Sequence, residues 1–262
     1  MWLRGSLALA GALAGALALG AQVRADDDDG WAARAAAGYT RTGGNTDTSS
    51  ANGLFHVARV IEDWKLLFGI EGLYGATRGE TTAQAWDVHL QANYNFKPQL
   101  YWYSALRYDD NRFSGFAYQE LVSSGLGYQF SRSNATKLTA QLGVGVRRLR
   151  PELLTEDPTG GITASVLLPP TTQAVLDAAV NFDHALNSYT RLIAGVAVEA
   201  GNSNTMTTAN LSLQVKMSTT LALSAGYQLI RNSQPPPGVG TSATLTTLSL
   251  VYELKNPRLA PE

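Results

Sequence analysis

The segment AWDVHLQANYNF (Ala85–Phe96) decides the fold class, because the polarity of its side chains changes at every residue. One alternating set is apolar and consists of Trp86, Val88, Leu90, Ala92, Tyr94 and Phe96. The other set is polar and consists of Asp87, His89, Gln91, Asn93 and Asn95. Successive side chains of a β-strand point to opposite faces, so the segment is predicted to be a strand with one apolar and one polar face.

The same period of two recurs along the chain, as in Lys137–Arg147 and Ala209–Met217, whereas helical periodicity is absent over comparable lengths. Counting these segments and the breaks between them predicts an all-β protein with twelve strands. The predicted strands lie near residues 31–42, 48–60, 64–77, 83–96, 100–110, 117–130, 135–148, 172–183, 188–200, 205–217, 219–231 and 243–254.

The connections between these strands fall into two classes that alternate along the chain. The short polar class consists of IEDW, FKPQL, SRSNAT, HALNS and KMSTT. The class that is longer or richer in Gly and Pro consists of TGGNTDTSS, RGETTAQ, NRFSGFAY, Leu149–Thr171, EAGNSNT and NSQPPPGVGTSA. Outer-membrane barrels have an even number of strands, short periplasmic turns and longer external loops, so we predict an antiparallel transmembrane β-barrel.

The two faces of the strands agree with a barrel in lipid. A closed sheet pairs every backbone polar group without water, and its outer wall must be apolar while its lumen can be polar. The alternative is a soluble, β-rich periplasmic binding module built as a sandwich. A sandwich needs an apolar interior between two sheets, but Gln, Asn, Lys, Asp and Arg run along the polar faces here.

The first 25 residues, MWLRGSLALAGALAGALALGAQVRA, have the regions of a secretory signal peptide. Arg4 is the basic start, an apolar core runs from Leu7 to Leu19, and Val23-Arg24-Ala25 is the small-x-small end. The core is shorter than the roughly 20 residues of a spanning helix. We therefore predict a signal peptide at 1–25, cleaved near Ala25, and one barrel domain at 26–262. That domain holds strands at about 31–254 and a short C-terminal tail, and it crosses the periplasm to the outer membrane.

The composition excludes several classes of partner and chemistry. A formal net charge of -1 offers no surplus of cations for phosphate, so no nucleic-acid partner is predicted. The chain has no cysteine, which leaves no thiol nucleophile and no thiolate metal site. No cofactor and no metal are predicted. The expected partners are outer-membrane lipid, lipopolysaccharide and, during biogenesis, the outer-membrane insertion machinery.

Three stretches together resemble a known family. They are GYTRTGGNTDTSS (Gly38–Ser50), RYDDNRFSGFAYQELVSSGLGYQF (Arg107–Phe130) and NSQPPPGVGTSATLTTLSLVYEL (Asn232–Leu254). In this order they resemble the YdiY-like family, salt-induced outer membrane proteins of Gram-negative bacteria built on a domain of unknown function. The resemblance implies an outer-membrane barrel linked by name to salt stress, and it carries no catalytic residues. The chain departs from outer-membrane barrels in continuing beyond Tyr252 instead of stopping on an aromatic residue.

The polar faces supply candidate lumen residues of both charges. They are Glu71, Asp87, His89, Arg107, Asp109, Lys137, Arg147, Asp177, Arg191, Glu199 and Lys216. Such an interior is either a polar channel or a closed, salt-bridged plug, since a barrel of twelve strands is intermediate between filled and open barrels. A narrow channel or an envelope-stress component that sets permeability is the function we expect.

Two features of the predicted external side have more than one interpretation. Arg147, Arg148 and Arg150 would lie at the outer rim, where lipopolysaccharide phosphates accept charge-assisted hydrogen bonds, although Arg147 also belongs to the lumen set. The apolar ITASVLL segment of the long loop either folds into the mouth, rests on the membrane surface or is simply part of a mobile loop.

An outer-leaflet lipid-modifying enzyme is the alternative function. It would need a histidine with a serine or acidic partners near the outer leaflet. His89 is predicted in the lumen, His184 in a periplasmic turn, and His56 in a strand whose alternation is poor. No Gly-x-Ser-x-Gly or His-Glu-x-x-His motif occurs, so no catalytic residue is predicted and His56 is the one histidine to test.

Overall fold

The computed structural model describes residues 30–42, 48–112, 114–133, 135–156 and 162–255. The predicted signal peptide, the tip of the first hairpin (43–47) and the C-terminal tail lie outside these residues. Within the described ranges, no helix has the length and apolar character that a membrane span requires.

Thirteen strands make up the described part of the chain. They are Gly30–Thr42 (β1), Thr48–Ile61 (β2), Trp64–Thr77 (β3), Glu80–Asn95 (β4), Leu100–Asn111 (β5), Phe116–Arg132 (β6), Thr136–Glu156 (β7), Ile162–Leu167 (β8), Thr171–Ala185 (β9), Thr190–Gly201 (β10), Thr205–Lys216 (β11), Leu221–Asn232 (β12) and Ser242–Lys255 (β13). All strands except β8 form one antiparallel sheet in which β1 pairs with both β2 and β13, and β7 with both β6 and β9. The sheet is therefore closed, and the predicted twelve-stranded transmembrane β-barrel is confirmed.

The additional strand β8 belongs to a hairpin that extends beyond the barrel. β7 continues past the barrel wall to Glu156, and its last residues pair with β8. Most side chains of β8 are exposed. The apolar ITASVLL segment therefore does not fold into the mouth of the barrel, and it forms a hairpin because its β-branched residues pair with Glu152–Glu156.

The two ends of the barrel differ in their connections. At the short-turn end lie Gly30, Lys255, the connection from β6 to β7 and the turns at 62–63, 96–99, 186–189 and 217–220. At the loop end the connection predicted as RGETTAQ is only Arg78-Gly79, and β4 begins at Glu80. Both turn residues have positive φ, 52° and 84°, as a two-residue hairpin turn requires. That loop was predicted too long because Thr81 and Thr82 were assigned to it instead of to the strand.

The outer wall is apolar between two groups of aromatic rings. At the short-turn end the ring centroids of Trp64 and Tyr94 are 5.1 Å apart, and those of Trp64 and Trp102 are 6.4 Å apart. At the loop end Tyr108 lies 5.2 Å from Trp86 and 6.2 Å from Tyr118 between centroids. Aromatic rings favour the two membrane–water boundaries, so these groups mark the edges of the apolar belt.

Inside the barrel, glycines of β6 and β7 make room for tyrosines of β5. Tyr101 and Tyr103 are buried in the lumen. The Tyr101 ring lies over Gly127, and the Tyr103 hydroxyl lies 2.5 Å from where a Cβ of Gly143 would be. A close approach of ring and backbone therefore requires glycine at both positions.

Replacing Gly127 by alanine is expected to destabilise the barrel, because the new methyl group overlaps the Tyr101 ring. Overpacking of this kind costs about 1–3 kcal/mol. The measurement is the temperature at which the folded band disappears on an unboiled electrophoresis gel. We expect this temperature to be lower for Gly127→Ala than for the wild type. Gly72→Ala is the control, since its Cβ would meet only the Ala85 carbonyl oxygen at 3.9 Å. An equal midpoint for the two variants would contradict this packing.

Candidate functional site in the barrel lumen

The structure places most of the predicted lumen residues on the inner wall. Glu71, Asp87, His89, Asp109, Arg147 and Glu199 are buried, and Arg107, Lys137, Asp177 and Arg191 are partly exposed. Lys216 has the inward position in β11, but it is the last residue of that strand and is exposed at the short-turn end. The chain also brings Asp183 to the inner wall, where its Oδ2 accepts a hydrogen bond from Arg191 Nη1 at 3.1 Å.

An ion-pair cluster crosses the lumen near the loop end, and we call it the charge bridge. It consists of Arg107 and Asp109 on β5, Arg147 on β7 and Glu199 on β10. Arg107 donates from Nε to Asp109 Oδ2 at 2.7 Å and from Nη1 to Glu199 Oε1. The other carboxylate oxygen of Glu199 accepts from Arg147 Nη1 at 3.2 Å. Glu199 thus holds two arginines from strands that do not adjoin β10.

The charge bridge is connected to the loop end through Asn204. Arg147 Nη2 donates to the Asn204 carbonyl oxygen at 2.6 Å. The Asn204 side chain in turn donates to Asn232 Oδ1 at 2.6 Å and to the Gln234 carbonyl oxygen at 2.9 Å. Arg147 is 0% exposed, so its charge depends on these partners and on Glu199. A movement of the chain at Gln234 therefore affects the support of Arg147.

The segment 233–241, which joins β12 to β13, lies across the mouth, and we call it the cap loop. Pro236 is buried, and a Cβ on Gly115 would lie 2.6 Å from Val239 Cγ2. Gly115 is in the connection between β5 and β6, which is half-way around the closed sheet from the cap loop. The cap loop therefore reaches the opposite wall, and beneath it Phe116, Met206 and Ile230 are buried.

A second polar group lies deeper in the lumen. His56 Nε2 and Glu71 Oε1 are 2.8 Å apart, and the His56 and His89 ring centroids are 5.2 Å apart. His89 Nδ1 lies 3.4 Å from Asp87 Oδ2. The His89 ring rests on Gly69, where any Cβ would overlap it. The poor alternation around His56 hid its direction, and the structure shows that it faces the lumen.

The side of the lumen away from the charge bridge, next to His56 and Glu71, is less filled. A cavity of about 160 Å³ lies against the inner walls of β1–β3 and β10–β13. Its lining includes Arg34, Asn52, Asn210, Ser224 and Gln228. Apolar side chains such as Leu54 and Ile193 also line the cavity, and its polar side chains offer water the several hydrogen-bonding partners that it needs.

Two predictions about histidines and the rim are corrected. Arg147 lies in the lumen and cannot reach the rim, since Glu199 and Asn204 bind it. His184 belongs to the end of β9 and not to a turn, with its Nδ1 2.8 Å from Thr136 Oγ1. Arg148 remains at the outer wall, with Nη1 4.0 Å from Glu120 Oε2 and its guanidinium 5.9 Å from the Tyr118 ring centroid. Arg150 follows on the same face, partly exposed.

Two of the three histidines do not face lipid, whereas His184 has the outward position in β9, beside Phe182 at the short-turn end. His56 and His89 are on the inner wall, and among the described residues no three His, Asp or Glu side chains are arranged to hold a metal ion.

The sequence matches the family described as "Protein of unknown function, DUF481" over residues 35–254. The predicted resemblance to a family built on a domain of unknown function is thus confirmed, while its salt-induced label is not tested. No curated protein matches the chain.

Among solved structures, the chain is similar to the translocator domain of the autotransporter NalP from Neisseria meningitidis. The TM-score is 0.47 at 12% identity, covering 86% of this chain and 87% of that one. It is also similar to the beta domain of the Bordetella autotransporter BrkA, with a TM-score of 0.43 at 13% identity and coverages of 87% and 99%. The KdgM porin has a TM-score of 0.41 at 10% identity, with coverages of 84% and 98%.

Glu199→Ala is expected to destabilise the barrel strongly, because it leaves Arg107 and Arg147 without their shared carboxylate. Breaking a buried ion pair from one side costs about 3–5 kcal/mol. Urea unfolding of the refolded protein in detergent measures the change. Glu120→Ala is the control, since its pairing with Arg148 at 4.0 Å is half-exposed and such pairs contribute about 0–1 kcal/mol. An equal decrease in the free energy of unfolding of both variants would show that the charge bridge does not stabilise the lumen.

Proposed function

The chain belongs to the DUF481 family of proteins of unknown function, and from that premise we propose that it is an outer-membrane barrel with a narrow, closable channel. The observation that carries the proposal is a polar lumen closed by one loop and a few side chains. A lumen meant to stay shut needs no such arrangement, because apolar side chains fill a small barrel at lower cost than buried charges.

Water in the lumen is supported by the unpaired polar atoms of its charged groups. Within the described residues, five buried polar atoms of the charge bridge, Asp87 and His89 have no hydrogen-bond partner from the protein. They are Asp87 Oδ1, His89 Nε2, Arg107 Nη2, Asp109 Oδ1 and Arg147 Nε. Buried polar atoms are almost always satisfied by protein or by ordered water, so a hydrated lumen accounts for this set.

Two layers at the loop end form the closure. The outer layer is the cap loop with the apolar side chains of Phe116, Met206 and Ile230 below it. The inner layer is the charge bridge, which Asn204 connects to Gln234 in the cap loop. Opening requires that the cap loop move away from Gly115. It also requires that the side chains of the charge bridge replace their contacts with one another by contacts with water. A loop with few contacts to the barrel opens locally at a lower free energy than the paired strands do.

The surroundings of the barrel follow from the same proposal. The apolar belt between its aromatic groups suits a membrane, and Arg148 and Arg150 at the loop end would contact lipopolysaccharide phosphates. A channel that stays closed until needed suits an envelope-stress role under salt load, as the family resemblance suggests. The outward-facing Tyr252 on β13 offers an aromatic residue to the insertion machinery. An outer-leaflet enzyme is not favoured, because His56 faces the lumen and pairs with Glu71.

Glu199→Gln is expected to shift the ion selectivity of the channel toward anions. The amide keeps the size of the side chain, but Arg107 and Arg147 then face one carboxylate fewer, and charged side chains at a constriction set selectivity. The reversal potential in a potassium chloride gradient across a planar bilayer measures this, and we expect the anion-to-cation permeability ratio to rise by about twofold or more. Glu120→Gln makes the same change outside the lumen and should leave the ratio unchanged. A conducting Glu199→Gln barrel with unaltered selectivity would show that ions do not pass the charge bridge.

Deleting Pro235–Val239 is expected to increase the fraction of time that the channel is open. The deletion removes the residues that reach Gly115 while β12 and β13 stay intact. Single-channel recording in a planar bilayer gives the open fraction, which should rise at least several-fold. Removing residues 162–167 from the exposed hairpin is the control and should change nothing. The channel proposal is wrong if none of three proteins conducts after it has inserted into the bilayer in its folded state. These are the wild type, the cap-loop deletion and Glu199→Gln.

A further inference from the structure

The outer wall of the barrel carries a groove that the lumen and the channel do not use. It encloses about 520 Å³ and runs across strands β2 to β6. The side chains that point into it come from the outward-facing positions, and we call it the wall groove. They include Arg59, Leu66, Leu90, Ala92, Ser104 and Leu106. Except for Arg59 and Ser104, these side chains are apolar.

Small residues between large ones create the wall groove. Ala92 and Ser104 are neighbours across β4 and β5, whereas Leu90 and Leu106 in the next rung are bulky and exposed. The Ser104 hydroxyl donates to Ser124 Oγ at 3.2 Å, and Ser124 Oγ donates to the Tyr103 carbonyl oxygen at 2.9 Å. The floor therefore has no hydroxyl in need of a partner. A concave apolar surface loses dispersion contacts unless a flexible chain fills it.

The wall groove begins near the short-turn end and rises into the apolar belt. One cross-strand row runs through Arg59, Leu66, Ala92, Ser104 and Ser124. Arg59 lies two residues before the end of β2, whereas Ser124 lies eight residues before the end of β6. The row thus starts at the membrane boundary and ends deep in hydrocarbon.

The polar end of the wall groove combines a cation with aromatic rings. Arg59 is exposed and pairs across the strands with Trp31, and Trp64 follows the adjacent turn. The rings of Trp64, Tyr94 and Trp102 form the aromatic group of the short-turn end. A guanidinium and indole rings at this level are suited to a lipid phosphate and its glycerol ester region.

We propose that the wall groove binds one phospholipid, with its phosphate at Arg59 and one acyl chain along Ala92 and Ser104. The row spans four strand-to-strand steps of about 4.8 Å, roughly 19 Å, which is long enough for most of an acyl chain. A lipid is the occupant that the surface favours, because one end is cationic and interfacial while the rest lies in the apolar belt. This site does not depend on whether the lumen conducts.

Native mass spectrometry of the folded barrel released from detergent tests the proposal. The probes are phosphatidylglycerol and a diacylglycerol with the same acyl chains, which lacks the phosphate. We expect one phosphatidylglycerol per barrel to remain bound at activation energies that strip the other lipids. Ala92→Phe fills the groove and should lower this occupancy at least fivefold. Arg59→Gln should remove the preference for phosphatidylglycerol over diacylglycerol and leave chain binding in place.

Ala194→Phe is the matched control, because Ala194 also faces outward, on β10 at the other side of the barrel. Unboiled gel mobility shows that each variant is folded. Equal retention by wild type, Ala92→Phe and Ala194→Phe would overturn the proposal, since lipid would then bind without the wall groove. A dimer that Ala92→Phe converts to a monomer would also overturn it and identify a second copy of the chain as the occupant. Either outcome leaves the conductance measurements unaffected.

Discussion

Pairing of backbone polar groups without water is the constraint on which the rest of this barrel depends. In hydrocarbon an unpaired N–H or C=O costs several kcal/mol, so an open sheet edge is excluded. The chain meets this constraint when residues 32–37 of β1 pair with residues 250–255 of β13 and join its two ends. Closure then gives every strand one face toward lipid and one toward the lumen. The alternating sequence follows from those two solvents.

The lumen obeys a second constraint, which is that buried charges need partners. A ring of twelve strands is too wide to be filled by short side chains, and the chain fills one side with tyrosines over glycines and with the charge bridge. The other side keeps a cavity of about 160 Å³ with polar and apolar side chains in its lining. The same pairing that holds the charges also closes the loop end, because Asn204 joins Arg147 to the cap loop. Closure and stability therefore share the same side chains, so opening has an energetic cost.

Sequence reasoning succeeded where a property repeats locally. Strand number, the two faces and the inward direction of Asp87 and His89 could be predicted from period-two alternation. It failed for Thr81 and Thr82, because their hydroxyl groups suggest a loop. Both side chains are β-branched, however, and β-branched residues favour strands such as β4. Asp183 was missed because the predicted strand ended on it, although it shares the parity of Asp177. The function of Asn204 had no local signal, since its partners are Arg147, Asn232 and a backbone carbonyl.

The sequence alone determined the barrel, its strand count and the polarity of its outer and inner faces. These properties depend only on the order of the residues and on the two environments, lipid outside and water inside. The tertiary structure decided which lumen charges meet. Glu199 contacts Arg107 and Arg147, which are 92 and 52 residues away, only because closure and strand stagger set the distances across the lumen. It also decided that the Pro-rich cap loop, and not the apolar ITASVLL hairpin, covers the mouth. Contacts between opposite walls depend on the diameter of the closed ring, which no local segment encodes.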